Sequence, residues 1–157
     1  MNETMTENRA TSPTPEVLAD IQAIRWLTGE YARAVDSARL DDLMSLFADD
    51  AEWDTTAFGM GVERGLPAIR EFFAQLVRTT RERCHLAMNH RIDVDGDTAS
   101  ATVYLHAIVV MEGGRRDESI GYYADDYVRT AAGWKFSRRA ANALMAPPPA
   151  PVSSDHP

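Results

Sequence analysis

The chain has 157 residues, enough for one domain with a single sizeable core and short for two. Apolar residues make up 45% and charged residues 25%, an ordinary balance for a globular protein. A formal net charge of -8 argues against nucleic acid and against an anionic membrane surface, since both demand a basic footprint.

The single cysteine, Cys84, rules out an intrachain disulfide and fits a reducing compartment. Residues 1–15 hold no apolar run, so no secretory signal is expected. No stretch approaches the ~20 apolar residues of a spanning helix. The expected location is cytoplasmic. Residues 1–15 read as a disordered polar tail, and 147–157 as a disordered proline-rich one. The folded domain is expected over 16–146.

From Val17 to Val35 the positions Val17, Ile21, Ile24, Tyr31 and Val35 follow a helical period, with Thr28 inside the stripe. Asp36 falls at the stripe's margin, roughly 100° from its centre. Trp26 lies on the opposite side, which hints at a second surface to bury. Leu40, Leu43, Met44 and Phe47 predict a short second helix. Residues 51–58 then read as a strand. Gly65 and Pro67 open a third helix whose apolar face is Ile69, Phe72, Phe73, Leu76 and Val77.

Four β segments are expected near 85–94, 98–111, 117–130 and 133–141. Turn signals separate them at Asp95-Gly96, at Gly113-Gly114 and before Gly133. Helices first and an antiparallel meander afterwards make an α+β domain. If Asp95 and Gly96 are the loop residues, His85 stands opposite His106 and Ala87 opposite Tyr104, both histidines on one face. A bulge within these ten residues breaks that register. Strand 85–94 carries Leu86, Met88, Ile92 and Val94 on one face, and His85, Asn89, Arg91 and Asp93 on the other. Strand 98–111 is apolar on both faces. One side of the sheet should therefore meet the helices and a cavity, the other a subunit partner.

Several polar residues lie in or beside apolar stretches, as in a cavity that performs acid–base chemistry. These are Tyr31, Asp36, His85, His106 and Arg139. Each also has a plain structural reading. Tyr31 could be a core residue, Asp36 a helix terminus, and Arg139 the ion-pair partner of Asp125 or Asp126. Asp49-Asp50 and Asp125-Asp126 read as loop or edge carboxylates, and His90, on the face opposite His85, as structural. Cys84 and His85 point to opposite faces and form no nucleophile–base pair. No metal-ligand spacing and no phosphate-binding glycine loop are present, so neither metal nor cofactor is expected.

In the helical segment AIRWLTGEYARAVDSARLDDLMSLFADDAEW, in CHLAMNHRIDVDGDTA and in GYYADDYVRTAAGWKFSRR, the chain resembles the SnoaL-like families of the nuclear transport factor 2-like superfamily. The resemblance covers about residues 16–146. It implies a cone-shaped fold, with N-terminal helices packed on a strongly curved antiparallel sheet around a pocket, and dimers or trimers formed by the outer sheet face. It points to cofactor-independent enzymes such as scytalone dehydratase, bile acid dehydratase and hexachlorocyclohexane dehydrochlorinase. Carried onto this sequence, it implies a dyad of Asp36 and His85 that abstracts a proton. Tyr31 and Arg139 would stabilise developing charge, and His106 would fall near a second polar position.

The expected function is that of a lyase or isomerase, dehydratase-, dehydrochlorinase- or polyketide-cyclase-like, acting on a hydrophobic cyclic small molecule. Candidates for binding it are Trp53, Phe58, Met60, Phe72, Phe73, Leu86, Asn89, Tyr104 and Tyr123. The alternative is a non-catalytic ligand-binding or assembly module, like the β subunit of ring-hydroxylating dioxygenases. Fold alone does not decide between them.

Overall fold

A computed structural model describes residues 12–145. The expected tails therefore fall outside the described residues, apart from positions 12–15. Helix α1 spans Pro15–Asp36 and α2 spans Leu40–Ser45. Strand β1 (Phe47–Asp54), a short 3-10 turn (Thr56–Phe58) and strand β2 (Val62–Arg64) lead into α3 (Leu66–Thr79). A meander closes the fold: β3 (Thr80–Asp95), β4 (Thr98–Met111), β5 (Arg116–Thr130) and β6 (Gly133–Ala143). The six strands form one mixed sheet in the order β2-β1-β6-β5-β4-β3, antiparallel except where β1 runs parallel to β6. Helices pack against one face of this curled sheet, which is not closed, and the expected α+β class holds. Among the described residues, no helix is long and apolar enough to cross a membrane.

Helix α1 begins two residues earlier than the first position of its apolar period, Val17. Thr14 caps it by accepting from the Val17 N–H, and Pro15 occupies the first turn, where its missing N–H costs nothing. Its stripe is buried from Ile24 to Val35, but Trp26 stays 69% exposed and covers no second surface. Phe47 belongs to β1 rather than to the second helix, because α2 ends at Ser45. There it is fully buried, with its ring 5.1 Å from that of Phe136. In β5, Gly121 admits a close backbone approach: a Cβ there would sit 2.0 Å from the carbonyl oxygen of Asn142.

The β3–β4 register departs from the expected one twice. The loop residues are Gly96 and Asp97, with Asp95 paired to Thr98, which moves the pairing by two and preserves the faces. A bulge between Met88 and Arg91 then moves it by one and exchanges them. Asn89 adopts a left-handed backbone there (φ 52°), a conformation that asparagine tolerates better than most residues. Beyond the bulge, His85 stands opposite Ala107, and His106 stands opposite Leu86. Ala87 pairs with Leu105, and Tyr104 with Met88. The two histidines therefore lie on opposite faces of the sheet. For the same reason His90 shares the inner face with His85: its Nε2 sits 2.7 Å from the Thr28 hydroxyl of α1.

Candidate functional site

Strand β3 is an edge strand, so alternate backbone groups point off the sheet. The C-terminal end of α1 lies along that edge, where it meets the Arg83 side chain and satisfies the backbone N–H of His85. Arg83 Nε donates to the carbonyl of Val35 at 3.2 Å. The N–H of His85 donates to Asp36 Oδ2 at 3.0 Å, and the second carboxylate oxygen, Oδ1, lies 2.7 Å from His85 Nδ1. An ionised carboxylate only accepts, so Nδ1 carries a proton, and in the neutral ring the free lone pair is on Nε2. The His85 side chain is 11% exposed and that of Asp36 26%. The pair is thus shielded but not sealed.

His85 lines an apolar cavity of about 160 Å³ between the inner sheet face and the helices. Tyr31, Trp53, Phe72, Phe73 and Tyr123 form its inner walls. Phe58 and Met60, both exposed, form its rim. All of these are among the residues expected from the sequence. Further lining residues carry no chemical flag in sequence: Thr55, Leu76, Leu105, Ala107, Val109, Ser119 and Ala141. Ser119 could have been found only through register, since β4 aligns it with Ala107 and so with His85 across two strands. A larger groove of about 310 Å³ runs across Arg91, Asp93, Ser100 and Arg138, but its walls are polar and neither Asp36 nor His85 lines it.

Six expected site residues do not line the cavity: Asp36 reaches it only through His85, Arg139 lies behind its wall, and the other four lie away from it. Leu86 and Tyr104 are 49% and 43% exposed on the outer sheet face, where the bulge has turned them. Asn89 is consumed by the bulge itself and is exposed. His106 also lies on the outer face, with Nε2 at 2.6 Å from Glu118 Oε1. It stands across the sheet from the cavity and does not face a ligand bound there.

Arg139 is fully buried and sits behind the cavity wall. Its guanidinium makes two bonds to Asp125, from Nε to Oδ1 at 2.8 Å and from Nη2 to Oδ2 at 2.7 Å. Tyr127 adds a third donor to the same carboxylate at 2.7 Å. The ion-pair reading of Arg139 is therefore the structural one, and Asp125 is a core carboxylate rather than a loop or edge one. Burial works against the charge of Arg139, but Asp125 outweighs it and the arginine is held more firmly protonated than usual. The cation also lies 4.2 Å from the ring centre of Tyr31, 4.0 Å from that of Tyr123 and 4.2 Å from that of Phe136. It fixes these rings and does not itself line the cavity.

Tyr31 stands at the hub of the aromatic cluster, with the rings of Tyr123 and Phe136 each at 5.8 Å. Burial pushes its phenol well above the ordinary value, and that of Tyr123 up to about 12. Both therefore remain neutral donors. The Tyr31 hydroxyl, Trp53 Nε1 and Arg139 Nη1 are buried without hydrogen-bond partners. Among the described residues, no cluster of three or more His, Cys, Asp or Glu side chains is placed to hold a metal ion.

Comparison with known proteins agrees with this architecture. Uncharacterised proteins of Mycobacterium tuberculosis and Mycobacterium bovis are 35% identical over 124 residues, spanning 78% of this chain and 84% of theirs. A solved structure from Novosphingobium aromaticivorans, provisionally assigned as an aromatic ring hydroxylase, is 32% identical with a TM-score of 0.81, covering 83% of this chain and 93% of that one. A second protein of that organism, provisionally assigned as a scytalone dehydratase, is 26% identical with a TM-score of 0.76 over 82% and 87%. The hexachlorocyclohexane dehydrochlorinase LinA is 27% identical with a TM-score of 0.77 over 90% and 97%. Residues 16–140 match the SnoaL-like domain, and the chain belongs to that family within the nuclear transport factor 2-like proteins.

Proposed function

We propose that the protein is a cofactor-independent lyase or isomerase that abstracts a proton from a hydrophobic cyclic substrate, with His85 as the base and Asp36 as its orienting partner. One observation carries the reading: Asp36 holds Nδ1 of an imidazole that lines an apolar cavity, which leaves Nε2 as the basic nitrogen. A carboxylate behind the ring also stabilises the imidazolium formed when Nε2 takes the proton. Tyr31, kept neutral, supplies a donor for the charge that develops on the substrate. Likeness to a dehydrochlorinase and to a provisional dehydratase supports the reaction class.

The direct test uses solvent exchange and elimination together. Wild type and His85→Ala are incubated in deuterated water with cyclic ketones, and separately with hexachlorocyclohexane. Wild-type catalysis of α-proton exchange or of chloride release, reduced by about a hundredfold or more in the variant, is the expected result. Equal rates in the two proteins would overturn the assignment.

A second reading has its own observation. Leu86, Met88, Tyr104 and Ile120 leave an exposed apolar patch across the outer faces of β3, β4 and β5. Such a patch favours association, and a homodimer or homotrimer built on it is compatible with either catalysis or an assembly role.

A further inference from the structure

We propose that Trp53 reads an oxygen acceptor on the ligand through its indole N–H, so that the cavity selects a carbonyl-bearing ring over a hydrocarbon of the same shape. The inference rests on the reading of this cavity as a ligand site, and it adds a polar role to a residue whose ring otherwise only packs. Trp53 is 5% exposed near the end of β1, and its ring lines the cavity. Phe73 and Phe72 hold that ring, at 5.3 and 5.9 Å between centres, with Tyr31 at 6.1 Å. The direction of the N–H is therefore fixed before any ligand arrives.

An indole nitrogen can only donate. Buried donors are almost always paired, and one left unpaired calls for a specific explanation. Trp53 Nε1 has no partner, nor does the hydroxyl of Tyr31, so neither satisfies the other. The third unpartnered donor, Arg139 Nη1, is cationic and cannot accept. The hydroxyl of Thr55, which also lines the cavity, donates to the carbonyl of Gly61. The unpaired Trp53 donor, set in an apolar wall, matches a lone pair of a ligand's carbonyl oxygen. Halogen and hydrocarbon substituents offer no comparable acceptor. A carbonyl held there activates the adjacent carbon for proton loss, which is the step that His85 would perform.

The chain contains three tryptophans, which gives a direct spectroscopic readout. Trp134 Nε1 already donates to Asp20 at 3.0 Å, and Trp26 is exposed, so the Trp53 indole resonance can be assigned by its loss in Trp53→Phe. The protein is titrated with 1-indanone and with indane, its hydrocarbon analogue, while ¹H–¹⁵N spectra are recorded. Expected is a downfield shift of the Trp53 indole proton with 1-indanone and none with indane. Wild type should prefer 1-indanone by about tenfold, and Trp53→Phe should lose that preference. Equal binding of both compounds, or an indole proton that indane and 1-indanone move alike, would refute the acceptor role while leaving the cavity a ligand site. Failure of both compounds to bind would remove the ligand-site reading and the proposal with it. Should Trp53→Phe not fold, Trp26→Phe and Trp134→Phe assign the other two indole resonances and leave that of Trp53 by elimination, so the wild-type titrations still decide the matter.

Discussion

The carboxylate of Asp36 bridges two donors of one residue, the backbone N–H and the Nδ1–H of His85. One oxygen anchors the edge of β3 to the end of α1, and the other sets the imidazole tautomer. Structure and chemistry therefore share a single side chain. Asp36→Asn retains one acceptor oxygen but places an amide NH2 against a donor. It should lower turnover by roughly a hundredfold or more. It should also lower stability by about 1–3 kcal/mol, because a donor of His85 loses its partner. Steady-state rates and urea titrations on the same preparation separate the two effects.

Arg139 and Asp125 form a buried bidentate pair, and breaking one side leaves the other charge stranded. Asp125→Asn or Arg139→Met alone should cost about 3–5 kcal/mol in urea unfolding. Arg139→Lys should also be poorly tolerated, since an ammonium matches neither the fork of two bonds nor the flat contact with the rings of Tyr31 and Tyr123. A lysine variant of wild-type stability would show that the planar guanidinium is dispensable.

Asn89 sets which residues face the cavity. Asn89→Val forces a branched side chain into the left-handed region and should destabilise by about 1–2 kcal/mol, whereas Asn89→Gly should stay close to wild type. Deleting Asn89 removes the bulge and should exchange the faces of residues 80–88. Cys84, the sole cysteine and exposed in wild type, would then turn inward. Its labelling by a thiol reagent should slow sharply as proton-transfer activity disappears.

His90 gives the fold a defined sensitivity to acid. Thr28 Oγ1 donates to the carbonyl of Arg25 at 2.8 Å, so it accepts from the Nε2–H of His90. Burial, with the nearby charges of Arg25 and Arg139, lowers the His90 pKa below its ordinary value. The unfolded chain then takes up a proton first, at about pH 6.5. The contribution of His90 is therefore intact above that pH and is lost as pH falls toward the lower folded value. Urea midpoints measured between pH 8 and 5 should fall less steeply in His90→Gln than in wild type.

The cavity walls were largely legible in the chain because their signals are local. A helical period places Tyr31 on the buried stripe of α1, and another places Phe72 and Phe73 on α3. Both periods survive folding unchanged. The turn glycines likewise fix the meander in place, so an α+β order follows from the sequence. Strand β2 and the parallel pairing of β1 with β6 escaped, the first because three residues carry no period and the second because it joins segments more than eighty residues apart.

Tyr31, Asp36 and His85 could be named as candidates from residue type, pattern and resemblance. The faces of His106, Leu86, Tyr104 and His90 could not, because they depend on one extra residue in β3 that no alternation reveals. A bulge is inserted where the tertiary fold needs the strand to bend, and each such insertion reverses every side chain on one side of it. Nor does sequence distinguish an arginine that meets a ligand from one that pairs inside the core. Arg139 lies fourteen positions from Asp125, and only strand pairing across β5 and β6 brings the two charges together. Composition and period determine which elements form and which residues they bury. Register and packing alone decide which of the polar residues meet, since those contacts join segments that share no local signal.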